Sequence, residues 1–119
     1  MSKKGKIIMK PSEASIGSRY AIIYTQWNKD IIHILLENTE ATLLERNVPP
    51  NNIHKLEVPG AFELPLAAKK IGKGNFDAII ALGCIIRGET PHFDFIANSC
   101  ASGLIKVSLE INKPVIFGV

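Results

Sequence analysis

Apolar residues fall into two alternating rhythms along this chain: short unbroken runs, and longer segments with apolar positions three and four apart. The run "RYAIIYTQW" (19–27) is β-branched and aromatic with little polar alternation, which predicts a strand covered on both faces. Asn28 follows as a candidate N-cap, and Ile32, Leu35, Leu36, Thr39 and Leu43 form one stripe of a helix running to about Asn47. "VPPNN" breaks that helix, and "IHKLEV" (53–58) reads as a second, shorter strand. In "PGAFELPLAAKKIG" the chain turns into a second helix. Pro65 is tolerated in its first turn, and Gly72 and Gly74 end it. "FDAIIALGCII" (76–86) is the longest apolar run and the expected central strand. The third helix, "TPHFDFIANSCASGLIKVSLEIN", has Thr90 as expected N-cap and Pro91 in the first helical position. Ile96, Cys100, Leu104, Val107 and Ile111 make its apolar stripe, and "KPVIFGV" gives a fourth strand.

The order β-α-β-α-β-α-β predicts an α/β fold with right-handed crossovers and helices on both faces of a parallel sheet. The most apolar strands, 20–25 and 77–86, belong in the middle, so the expected strand order is 2-1-3-4. Three helices leave part of one face of a four-stranded sheet bare, whereas parallel sheets are normally covered on both faces. The expectation is that a partner subunit or, preferably, a further C-terminal helical segment covers it.

At 119 residues the chain makes one domain, with 46% hydrophobic and 21% charged residues. The net charge of +3 is mild. Lys3, Lys4, Lys6 and Lys10 sit in a stretch, 1–18, expected to be a flexible tail rather than a nucleic-acid contact. No apolar run reaches the roughly 18 residues of a membrane span, and no apolar segment of a secretory signal follows the first basic residues. A cytoplasmic protein is expected. Cys84 and Cys100 lie in apolar segments, without a CxxC pair or a neighbouring second histidine, and read as buried free thiols rather than metal ligands.

Three polar turns follow the first three strands: "QWNK", "VPGAFE" and "IIRGETPH". They converge on the carboxyl edge of the sheet, where open α/β sheets bind their ligands. Each has a plain structural reading. Trp27 can be a core aromatic, Asn28 a cap, Glu63 a complement to a helix dipole, and Gly88 and Thr90 ordinary turn and cap residues. Together they offer an aromatic face for stacking, a carboxylate and an anion-binding helix N-terminus. They also offer His92, of the residue type that titrates nearest neutrality. That set suits a ligand with a flat ring, hydroxyls and a phosphate.

"VPGAFELPLAAKK", "ALGCIIRGETPHFDFI" and "KPVIFGV", with "WN" upstream, resemble the lumazine synthases of riboflavin biosynthesis, from about Arg19 to Val119. The resemblance implies a flavodoxin-like three-layer α/β/α sandwich, assembled as a homopentamer or a shell of pentamers. It implies condensation of 5-amino-6-(D-ribitylamino)uracil with 3,4-dihydroxy-2-butanone 4-phosphate to 6,7-dimethyl-8-ribityllumazine, with no metal or organic cofactor. Carried over by position, Trp27 stacks on the pyrimidine with Asn28 beside it, and Ala61, Phe62 and Glu63 hold the ribityl chain. Cys84, Ile85 and Ile86 line the ring pocket through their backbone, and Glu89 and Thr90 receive the phosphate. His92 moves protons, and Phe117 reaches into a neighbouring subunit's site. Members of the family continue past the fourth strand into C-terminal helices with a phosphate-binding arginine, which a sequence ending at Val119 is expected to lack. The alternatives are a non-catalytic assembly or ligand-binding remnant of the same family, and a flavodoxin-like flavin carrier. A Ser/Thr-rich phosphate loop after the first strand would favour the carrier, and none is present.

Overall fold

In the computed structural model, which describes residues 17–119, the apolar runs form four strands: β1 (Tyr20–Thr25), β2 (Ile53–Val58), β3 (Ala78–Leu82) and β4 (Val115–Gly118). They pair in parallel in the order β2-β1-β3-β4, as their relative apolarity required. The crossovers carry three helices, α1 (Lys29–Glu45), α2 (Leu64–Gly72) and α3 (His92–Ile111). Most of the expected tail, with its four lysines, lies outside the described residues. No helix among those described is long and apolar enough to cross a membrane.

α2 and α3 share one face of the sheet. Ala21 and Ile23 of β1 and Ile79 and Ala81 of β3 pack there against Leu64, Ala68, Cys100, Leu104 and Val107. The alternation of small and branched residues along the strands lets the helices sit close. At Gly103 the approach is close: a β-carbon would lie 2.7 Å from Cγ of Pro65, inside van der Waals contact. The side-chain-free point on α3 therefore sets its spacing from the start of α2.

α1 packs on the opposite face, where Ile22 and Leu82 are buried. Its stripe is only partly used, with Ile32 buried and Leu35, Leu36, Thr39 and Leu43 half-buried. One helix does not span four strands, and Ile116 on β4 remains 51% exposed in register with Ile80.

Some boundaries match the sequence expectation and others differ. β1 ends at Thr25 as expected, and the Gln26 N–H makes a last bond to the carbonyl of Val58 (3.0 Å) before the chain turns away. β3 ends at Leu82 rather than Ile86. Gly83 makes a last bond to the Gly118 carbonyl (3.0 Å), and the following residues leave the sheet. Asn28 precedes α1 but makes no side-chain cap bond. It holds a left-handed conformation (φ 60°), which asparagine tolerates better than other side chains. Asn47 and Asn112 do the same after α1 and α3, whereas no described glycine has positive φ. Gly72 thus ends α2 as expected, without a left-handed conformation. The third helix begins at His92, with Pro91 in the cap position rather than Thr90. The Pro91 carbonyl accepts from both Asp94 N (3.1 Å) and Phe95 N (3.3 Å), which fixes the start there.

At the amino ends of the strands the polar groups satisfy one another. The Arg19 amide donates to Asp77 Oδ2 (2.8 Å), the Asp77 amide donates to the Arg19 carbonyl (2.8 Å), and Arg19 Nη2 lies 2.9 Å from His54 Nε2. The Phe76 ring packs edge-on against His54 and beneath the Arg19 guanidinium. Lys113 Nζ donates to the carbonyls of Gly72 (2.6 Å) and Gly74 (2.8 Å), closing the end of α2.

Candidate active site

The three turns at the carboxyl ends of β1, β2 and β3 enclose a cavity of about 550 Å³. From the first turn come Thr25, Trp27 and Asn28, and from the second Pro59 to Glu63. The third contributes Cys84, Ile85 and Ile86, and the first turns of α3 supply His92 and Ile96. This convergence follows from topology. Each strand delivers its chain to the same edge before the crossover helix begins.

Local chemistry shapes each turn. After β2, the Gly60 amide donates to Glu63 Oε2 (3.0 Å) while the Glu63 amide donates to the Gly60 carbonyl (3.1 Å), which locks the turn Ala61–Glu63 ahead of α2. Part of the Glu63 carboxylate is therefore committed to the backbone, although the residue still lines the cavity. A β-carbon on Gly60 would lie 3.6 Å from Trp27 Cδ1, so the indole rests close against this turn. Trp27 is nonetheless 72% exposed, as are Phe62 (62%) and Ile86 (63%) nearby. Large apolar side chains left open around one cavity mark a binding surface rather than a core.

The connection from β3 to α3 has no regular secondary structure over 83–91. His92 stands at the first position of α3, and its amide donates to Thr90 Oγ1 at 3.4 Å. The first turn of α3 leaves amides directed at this mouth, where an anion is favoured. Arg87 reaches forward to Asp94, with Nη2 3.1 Å from Oδ1, and its Cζ lies 4.4 Å from the centre of the Phe93 ring. Cys84 is half-buried in the cavity wall. Cys100 lies in the core behind it, and burial pushes its thiol up to about 11. Thr25 is the one buried polar residue among those described, and its Oγ1 has no hydrogen-bond partner.

The cavity thus gathers Trp27, Asn28, Ala61, Phe62, Glu63, Cys84, Ile85, Ile86 and His92, all expected from sequence. Glu89 and Thr90 lie on the loop beside it without lining it, and Phe117 sits on β4, half exposed, in register with Ala81. Sequence reasoning missed Thr25, Pro59, Gly60 and Ile96 as lining residues. Ile96 could have been found from its place one turn after His92 on the same helix face. Residues 17–119 match the family model of 6,7-dimethyl-8-ribityllumazine synthase.

Proposed function

The chain belongs to the 6,7-dimethyl-8-ribityllumazine synthase family, and we propose that it condenses 5-amino-6-(D-ribitylamino)uracil with 3,4-dihydroxy-2-butanone 4-phosphate inside the cavity of the three turns. The observation that carries this reading is the placement of His92 at the helix mouth, on the rim of a cavity whose other walls are aromatic, apolar and backbone-rich.

In this reading the pyrimidine ring lies on Trp27 against the backbone of Cys84 to Ile86, with Asn28 beside it. The ribityl chain runs along Ala61, Phe62 and the free part of Glu63. The phosphate sits at the amino end of α3 beside Glu89 and Thr90. The 5-amino group attacks the ketone and water is lost. Removal of the C3 proton then expels phosphate and leaves an enol, which tautomerises to a second carbonyl. Attack by the ribitylamino nitrogen on that carbonyl closes the ring with loss of water. Every step moves protons and none needs an enzyme nucleophile, so a positioned imidazole suffices, giving about 10²–10⁴-fold. Holding two small reactants together accounts for more, since effective molarities of about 10⁵ M or above are reachable. Phe117 is proposed to complete the site of a neighbouring subunit in a homopentamer or a shell of pentamers, for which its exposed position on β4 leaves it available.

The test is incubation of the full chain with both substrates, following formation of the fluorescent lumazine. Its appearance at a rate above the uncatalysed reaction, abolished by omitting either substrate, is the expected result. Binding of the ribitylaminouracil without turnover would favour a non-catalytic member of the family instead.

A further inference from the structure

The connection 83–91 carries three cavity-lining residues and leads directly to His92, yet it has no strand or helix hydrogen bonding of its own. Gly83 is held by Gly118 at one end and the Pro91 carbonyl by the Asp94 and Phe95 amides at the other, so between them fixation must come from side chains. Thr90 gives one contact, to the His92 amide, and at 3.4 Å it is a weak one. Arg87 gives three. Its Nη2 and Nη1 reach the two oxygens of Asp94 at 3.1 and 3.4 Å, and its guanidinium lies 4.4 Å from the centre of the Phe93 ring. A planar fork that pairs with a carboxylate and covers an aromatic face leaves little rotational freedom at either end.

The contacts also fall at telling positions. Arg87 immediately follows Ile86, which lines the cavity, and it grips the two residues immediately after His92. Arg87 and Asp94 are absent from the cavity lining, so the pair holds the two sides of the site from outside it. Among the described residues this is the ion pair that touches the 83–91 connection; the others join Lys55 to Glu40, Lys69 to Glu110 and His33 to Glu37. The pairing has an electrostatic consequence as well. Asp94 lies in the first turn of α3 and Glu89 lies just before it, so two carboxylates flank a helix mouth suited to an anion. The guanidinium offsets one of them.

We propose that Arg87 and Asp94, with Phe93 beneath, form an external clamp that sets the position of Ile86 relative to His92 and keeps the mouth of α3 open to an anion. Both are positioning residues, and the catalytic part of the proposal rests on the synthase reading given above. The clamp is tested in the full chain with Arg87→Ala, Arg87→Lys, Asp94→Asn and the double variant R87A/D94N. Two readouts are needed: amide hydrogen exchange of peptides covering 84–95 without substrate, and kcat and KM for lumazine formation.

Exchange in 84–95 should quicken about tenfold in R87A and D94N while that of β1 stays fixed, because local opening is governed by local contacts. The same variants should lose roughly tenfold in kcat/KM, with the double variant no worse than either single one, because the two residues act as a unit. Lysine at 87 keeps the charge but not the fork and should fall between parent and R87A. Unchanged exchange would overturn the clamp, and so would additive losses in the double variant or faster exchange with unaltered kinetics. A parent chain that makes no lumazine would instead remove the synthase reading and the catalytic role with it, while the exchange experiment would still decide whether the clamp exists.

Discussion

The two ends of the sheet are built from similar residue types and treat them in opposite ways. At the amino ends, Arg19, Asp77, His54 and Phe76 contact one another, and Lys113 closes the last carbonyls of α2. At the carboxyl ends, the Asn28 side chain makes no cap bond, the Thr25 hydroxyl is unpaired, and Trp27, Phe62 and Ile86 remain exposed. The amino end is not perfect, since Arg19 Nε is also buried without a partner. The balance is still clear. Where polar and aromatic groups satisfy each other, the sheet is being held; where they are left open around a cavity, something else is to be bound.

The sharpest way to separate the ends is His92→Ala. Turnover should fall by about 10²–10⁴, the range of general acid–base help, while the urea midpoint stays put because the side chain is exposed. Single-turnover rates equal to the parent's would remove the proton-transfer role. The core between the two ends should respond to alkali through Cys100. Its thiol ionises near pH 11 when folded, raised by burial, against about 8.5 for a free thiol. The stabilisation is complete below the unfolded value and is lost as pH rises through the folded one. The loss is about 3 kcal/mol, seen as the difference in urea stability between parent and Cys100→Ala across pH 8 to 11. Curves that stay parallel over that range would contradict it.

Smaller effects should carry opposite signs at the two ends. Asp77→Ala removes the acceptor of the Arg19 amide and should cost about 1 kcal/mol in equilibrium unfolding, with lumazine formation untouched. Thr25→Val replaces an unpaired buried hydroxyl with a methyl group of similar size and should leave stability equal or raise it by up to about 1 kcal/mol. A loss of stability in Thr25→Val would mean that the hydroxyl has a partner, and the contrast between the ends would weaken.

Strand order was legible because burial on both faces leaves an unbroken apolar run, and only β1 and β3 carry strong ones. The exact end of β3 was not. "CII" (84–86) is as apolar as the strand before it, but those residues line a cavity rather than pair with a sheet neighbour, and hydropathy does not distinguish the two. Asn28 was misread for a similar reason: asparagine is favoured both as a cap acceptor and in the left-handed region, and the sequence is the same for either. Trp27, Glu63 and His92 could be placed because topology brings every turn after a parallel strand to one edge. The reach of Arg87 across the start of α3 could not, since it depends on how a loop without regular structure folds.

The contact between Gly103 and Pro65 acts as a mechanical pivot. From Gly103 back to His92 runs about 16 Å of helix at about 1.5 Å per residue, a rigid arm with the imidazole at its tip. A side chain added at Gly103 pushes against the start of α2, and a tilt of about 5° there would swing the tip by about 1.4 Å, where 1 Å can already cost about a hundredfold in rate. A position far from the cavity, bearing no side chain at all, thereby governs the aim of the residue at its mouth.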